Sequence, residues 1–231
     1  MHQYYQHEDR QLVAVDCIIF GFDKGQLKLL LLKRHIEPGY GKWSLAGGFL
    51  RRQESLDEAA GRVLSDLTGL KDVFLEQLNT YGNPDRDPGE RVVSVAYFAL
   101  LKVEGHNEDL VIENGAHWGS IEKVPELIFD HSEMVEKALC RLRRVAKSQP
   151  IGFELLPEKF TLPQLQSLYE AIYQKELDKR NFRKKILSMD LLDKLEEKDK
   201  TSSKKGAFLY RFNKEKYEEL LAKGFYFSLD I

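Results

Sequence analysis

The stretch GGFLRRQESLDEAAGRVLSDLTGL, residues 47–70, constrains the fold more than any other part of the chain. Two glycines open it. From Glu54 to Thr68 the apolar residues Leu56, Ala59, Ala60, Val63, Leu64 and Leu67 recur at helical spacing, and Gly69 stops the helix. The segment is a loop–helix–loop, entered from the short strand of WSLAGGFL. Residues 11–33 read as two strands joined at Asp23-Lys24-Gly25, a hairpin signal. Residues 73–81 and 91–103 read as strands separated by the turn-rich GNPDRDPGE. Asp130 and Glu133 form a D-x-x-E capping box for a helix reaching about Lys147. Strands mixed with amphipathic helices place this part in the α/β class.

A boundary falls near residue 150, within SQPIGFELLPEKF, and divides the chain into 1–150 and 151–231. The second part opens with a T-x-x-Q capping box, Thr161 and Gln164, before a helix carrying Leu165, Leu168, Tyr169, Ile172 and Tyr173 on one face. A second helix from about Asp178 buries Phe182, Ile186 and Met189, leaving Lys179, Arg180, Arg183 and Lys184 on its other face. LLDKL, a polar loop over 196–206 and AFLYRF then read as strand–loop–strand, and Asn213 caps a last helix ending near Gly224. Helix, helix and a hairpin with a basic tip is the order of a winged helix-turn-helix.

Charge supports that reading. The net charge is -2, yet between Lys175 and Arg211 basic residues outnumber acidic ones by 12 to 7. A basic block in a near-neutral protein points to a local polyanion site. An α-helix fits the major groove of double-stranded DNA, where Lys179, Arg180, Arg183 and Lys184 would meet phosphates and Asn181 an adenine edge. Lys198, Lys200, Lys204 and Lys205 decorate the expected wing. Cys17 and Cys140 lack ligand-like spacing and read as two buried, reduced thiols. No apolar run is long enough to span a bilayer, and MHQYYQHEDR has no secretory h-region, so a cytoplasmic protein with no membrane contact is expected.

Gly48, Glu54, Arg62, Leu64, Gly69 and Leu70 fall at the spacing of the Nudix hydrolase signature, G-x5-E-x7-R-E-U-x-E-E-x-G-U, where U is bulky and aliphatic. The resemblance covers roughly residues 10–148 and implies an α/β/α sandwich around a mixed sheet. In Nudix enzymes the acidic helix positions hold Mg²⁺ against a pyrophosphate. Here those positions are Val63, Asp66 and Leu67, and aliphatic side chains offer a hard cation no oxygen. Glu76, Glu90 and Glu113 are the acids that could supply ligands from elsewhere in the domain. Arg62 and Asp66, at i and i+4, suit a helix-surface ion pair. The reading is a Nudix fold without Nudix hydrolysis, with no cofactor and no catalytic metal. A retained pocket would draw on Arg34, His35, Trp43, Glu54, Tyr81 and Asn83.

The Nudix-like part followed by FTLPQLQSLYEAIYQKELDKRNFRKKIL resembles the Nudix-related transcriptional regulator family, often called NrtR, over nearly the whole chain. The resemblance implies a homodimeric repressor that reads a palindromic operator and responds to a small effector, ADP-ribose in some members and a sugar in others. The sequence resembles the arabinose-responsive branch more closely, so L-arabinose is the expected effector. The competing expectation is a Mg²⁺-dependent pyrophosphohydrolase acting on ADP-ribose or a sugar nucleotide.

Overall fold

The computed structural model describes residues 7–69, 73, 75–103, 112, 115–200 and 206–229. Two compact units are present. The first takes the described residues of Met1–Ile19, Leu29–Ala99 and His106–Glu136, the second those of Phe20–Lys28, Leu100–Gly105 and Lys137–Ile231.

Strands β1 (Leu12–Asp23) and β2 (Gln26–Lys33) form the expected hairpin. Both turn residues are left-handed, Lys24 at φ 46° and Gly25 at φ 82°, which matches the twist of the flanking strands. β3 (Trp43–Ser44), β4 (Ala46–Phe49), β5 (Glu76–Tyr81), β6 (Val92–Lys102) and β7 (Ala116–Ser120) complete the sheet. Its order is β3-β2-β1-β6-β5, with β4 on β1 and β7 on β2. The Leu12 amide donates to Arg91 O at one end of β1, and the Val103 amide to Phe22 O at the other. Both pairings advance together, so β1 and β6 run parallel and the sheet is mixed. Antiparallel pairing of β4 sets Gly47 opposite Asp16.

Helix α1 (Leu56–Thr68) begins at Ser55, whose hydroxyl accepts the Glu58 amide while the Glu58 carboxylate accepts the Ser55 amide. Gly69 closes it at φ 72°. Its buried face carries Ala59, Ala60, Val63 and Leu64, against the β1 side chains of Val15, Cys17 and Ile19 in the same core. Helix α2 (His131–Ser148) starts where expected, but the Asp130 carboxylate takes both hydrogen bonds of a guanidinium, from Arg86. Cys17 is buried as expected. Cys140 is exposed, because it lies off the apolar stripe of Met134, Val135, Ala138 and Leu142.

In the second unit, β8 (Phe160–Thr161), β9 (Leu192–Asp199) and β10 (Ala207–Phe212) form a sheet of order β8-β10-β9. The polar run expected as loop is strand as far as Asp199, since cross-strand pairing with β10 holds it (Lys198 opposite Phe208, Asp199 opposite Ala207). β8 is too short for a period-2 signal and was not legible in the sequence. Helices α3 (Leu162–Tyr173) and α5 (Lys214–Ala222) carry the expected caps, Thr161 with Gln164 and Asn213, and Asp178 caps α4 (Lys179–Ser188). Leu165, Leu168, Tyr169, Ile172, Phe182 and Ile186 make their core. Among the described residues no helix is long and apolar enough to cross a membrane.

Candidate functional site

A cavity of about 330 Å³ opens in the first unit, a size that suits a small polar ligand. Its floor comes from β1 and β4, one wall from Val63, Asp66 and Leu67 of α1, another from Arg86, Phe129 and His131, and its rim from Lys33, Arg34 and His35 at the end of β2.

Polar groups that the chain folds inward lie at the floor. Asp16 is 7% exposed inside the apolar run of residues 12–20 in β1. Its Oδ2 accepts the Ser94 hydroxyl at 2.6 Å and lies 3.5 Å from Arg86 Nη2. Arg86 is buried too, and grips Asp130 through Nε at 2.9 Å and Nη2 at 2.7 Å. Burial opposes the guanidinium charge, but those hydrogen bonds and the nearby carboxylates hold its pKa above the ordinary value. Removing one partner of such a buried pair typically costs about 3–5 kcal/mol.

His131 Nδ1 accepts the Leu45 amide at 3.1 Å, which places the ring proton on Nε2. Burial lowers its pKa, so the ring is neutral at pH 7. Nε2 faces Asp16 Oδ1 across 3.7 Å, too long for a hydrogen bond. Gly47 is required beneath this group: a Cβ there would lie 2.3 Å from Asp16 Oδ1.

The positions that would hold metal offer little. Val63 is buried, and its Cγ2 lies where a side chain on Gly48 would have to go. Leu67 adds hydrocarbon to the same wall, leaving Asp66 as the one carboxylate of the three. Glu54 is already engaged. Its Oε1 and Oε2 accept Arg62 Nη2 at 2.7 Å and Nε at 3.0 Å, and Oε1 also accepts the Arg51 amide. The Arg62 hydrogen bonds, above all, hold its pKa at about 2. This corrects the expected Arg62–Asp66 pair: the guanidinium takes a bidentate partner from the preceding loop. Among the described residues no group of three or more His, Cys, Asp or Glu could hold a metal ion.

Of the residues expected at a pocket, Arg34 and His35 line the cavity. Trp43 does not; it packs edge-on against His117 at 5.4 Å, with Lys33 Nζ over its ring. Glu54 is tied to Arg62. Tyr81 is buried at the end of β5, and exposed Asn83 accepts the Asp85 amide in a local turn. Glu76 and Glu90 also lie off the cavity, and Glu113 is outside the described residues. Sequence reasoning named Asp130 only as a helix cap and singled out none of Asp16, Ser94, Arg86 and His131.

The second unit presents a basic surface. In α4, Lys179, Arg180, Asn181, Arg183 and Lys184 are all exposed while Phe182 and Ile186 are buried, so the helix is seated by one face and offers the other. The turn before it is pinned. Gln166 Nε2 donates to Leu177 O at 2.9 Å and to Glu170 Oε1 at 2.8 Å, and Glu170 Oε1 accepts the Leu177 amide. Arg143 adds hydrogen bonds to Ile172 O and the Gln174 side chain at the end of α3. In the wing, Lys194 and Lys198 hold their ammonium groups 3.9 and 4.4 Å from the Phe208 ring centre. Lys204 and Lys205 lie outside the described residues.

A Nudix fold joined to a helix-turn-helix with a wing defines a class: a small-molecule-binding fold attached to a DNA reader. Comparison with known families and proteins agrees. The NUDIX domain matches residues 10–138, and the NrtR DNA-binding winged helix domain matches residues 152–212. The ADPR responsive transcriptional repressor NtrR of Acinetobacter baylyi is 33% identical over 93% of this chain and 88% of its own length. An ADP-ribose pyrophosphatase of Methanocaldococcus jannaschii is 34% identical over 54% of this chain and 70% of its own. The crystal structure of Shewanella oneidensis NrtR complexed with a 27mer DNA aligns with a TM-score of 0.76 at 30% identity, over 94% of this chain and 99% of that one. The NUDIX domain of the same protein, complexed with ADP ribose, aligns at 0.53 with 33% identity, over 60% of this chain and 92% of that domain. The chain belongs to the NrtR family of Nudix-related transcriptional regulators.

Proposed function

We propose that this protein is a transcriptional repressor that releases its operator when ADP-ribose or a closely related nucleotide occupies the cavity of the first unit. Residues 1–150 act as the effector sensor and 151–231 as the operator reader. The observation that carries the reading is α4, with Phe182 and Ile186 buried and Lys179, Arg180, Asn181, Arg183 and Lys184 exposed. Arg180 and Arg183 meet backbone phosphates, Asn181 a base edge, and Lys179, Lys184, Lys204 and Lys205 add phosphate contacts. A homodimer on a palindrome doubles this footprint. Both ADP-ribose-linked relatives support the nucleotide, whereas their names give no support to the expected L-arabinose.

Hydrolysis is not part of this function. Val63 and Leu67 stand where carboxylates would hold Mg²⁺, and Glu54 is committed to Arg62. The pyrophosphatase relative keeps the alternative specific: turnover of ADP-ribose with Mg²⁺ at about 1 s⁻¹ or faster would establish it.

Fluorescence anisotropy on a labelled palindromic duplex from the protein's own promoter tests the main reading. Replacing Arg180 and Arg183 by Ala should weaken binding at least about a hundredfold and reduce the salt slope by about 2, one per lost phosphate contact. Added ADP-ribose should displace the wild-type protein. Unchanged binding by the double variant would rule out α4 as the reading helix.

A further inference from the structure

The floor of the cavity holds groups whose hydrogen-bonding capacity the protein does not use. Asp16 Oδ1 has no hydrogen-bond partner among the described residues, although the side chain is only 9% exposed; its Oδ2 accepts the Ser94 hydroxyl and lies 3.5 Å from Arg86 Nη2. His131 Nε2 carries a proton, because Nδ1 accepts the Leu45 amide, and no described acceptor lies within hydrogen-bond distance of it. Arg86 commits Nε and Nη2 to Asp130 and leaves Nη1 without a described partner. All three side chains line the same cavity.

A buried acceptor beside buried donors selects its ligand. A phosphate sets an anion against the Asp16 carboxylate and, when fully ionised, brings no proton for Oδ1. A carbonyl satisfies the donors and leaves the carboxylate unpaired. A hydroxyl does both: it donates to Asp16 Oδ1 and accepts from His131 Nε2, and the 3.7 Å separating those atoms lets one oxygen reach each at ordinary distance. Arg86, lining the same cavity, has Nη1 to offer a second hydroxyl on the adjacent carbon. Lys33 and Arg34 at the rim supply the positive charge the floor lacks.

We infer that Asp16, Arg86 and His131 form a subsite for vicinal hydroxyls of a pentose ring. This rests on the reading of the cavity as the effector site and names the part of the effector that enters first. The shared chemistry has two sources, the terminal ribose of ADP-ribose or a free pentose such as L-arabinose.

Isothermal titration of the full chain with ADP-ribose, ADP and L-arabinose separates them. ADP lacks the terminal ribose and should bind wild-type protein about tenfold to a hundredfold more weakly than ADP-ribose, the worth of one or two charge-assisted hydrogen bonds. Asp16→Asn exchanges the acceptor for a donor. It should remove most of the ADP-ribose advantage and leave ADP affinity within about twofold. His131→Asn is the second variant should the first not fold, and the ADP-ribose against ADP comparison needs no variant. L-arabinose binding that Asp16→Asn abolishes, without ADP-ribose binding, would support the subsite and overturn the nucleotide effector. Equal binding of ADP-ribose and ADP, or an Asp16→Asn variant that keeps the full preference, would overturn the subsite and leave the effector reading standing. No heat from either sugar-bearing ligand would overturn both.

Discussion

Gly47→Ala isolates the packing under the cavity floor. Gly47 faces Asp16 across the β1–β4 register, and an added Cβ would sit 2.3 Å from Asp16 Oδ1 and 3.2 Å from Val15 O. The first contact is about 1 Å inside ordinary van der Waals distance. The carboxylate cannot simply turn away, because Ser94 holds Oδ2 at 2.6 Å and Arg86 lies beside it. Overpacking of this kind costs about 1–3 kcal/mol, and loosening the Ser94 bond adds about 1 kcal/mol, so a loss near 3 kcal/mol is expected. In an Asp16→Ala background the main clash vanishes. Only Val15 O remains close, and the same substitution should cost under about 1 kcal/mol, a coupling of about 2 kcal/mol in magnitude. Both tryptophans, Trp43 and Trp118, lie in the first unit, so their fluorescence reports on urea unfolding there. A Gly47→Ala penalty that is equal with and without Asp16, or below about 0.5 kcal/mol in the wild type, would refute this account of the floor.

His131 makes stability depend on pH with a definite sign. Burial lowers its pKa from 6.5, so below that value the unfolded chain takes up a proton that the native ring refuses. The contribution is intact above pH 6.5 and is lost as pH falls, with a slope of up to about 1.4 kcal/mol per pH unit. His131→Asn should show a smaller difference in urea midpoint between pH 7.5 and pH 5 than the wild type, and an equal difference would contradict it. Asp178→Ala removes the side chain that accepts the Asn181 amide at the start of α4. It should cost about 1 kcal/mol of winged-helix stability by thermal melting, and no measurable change would mean the cap carries no weight.

Local signals carried the elements, and tertiary pairing carried the site. The D-K-G turn, the Thr161–Gln164 capping box and Gly69 each act within a few residues, so the end of α1, the start of α3 and the β1–β2 hairpin could be placed from the sequence, whereas the Ser55–Glu58 box of α1 went unread. The face of α4 was legible for the same reason: Phe182 and Ile186 are one turn apart, which commits the intervening basic residues to solvent. The Arg62 ion pair shows where local spacing fails. The i, i+4 rule names Asp66, yet Glu54 wins because the loop before the helix folds back and offers both carboxylate oxygens to one guanidinium.

The cavity floor is a stronger case, since its residues are scattered over β1, β6, the loop at Arg86 and the start of α2. A signal for part of it existed. VAVDCIIF and VVSVAYF are apolar strands each broken by one polar residue, and a lone carboxylate in a buried strand needs a buried donor. The two interruptions, Asp16 and Ser94, are hydrogen-bonded to each other. Pairing them in advance requires knowing that β1 and β6 are neighbours, and that adjacency arises by a crossover past β2 to β5 rather than by a turn. The apolar residues Val63 and Leu67 could therefore be placed at the signature's metal positions from sequence alone, because their helix is local. The groups that select a ligand became identifiable only once the parallel pairing of β1 with β6 had brought Asp16 to Ser94 and Arg86.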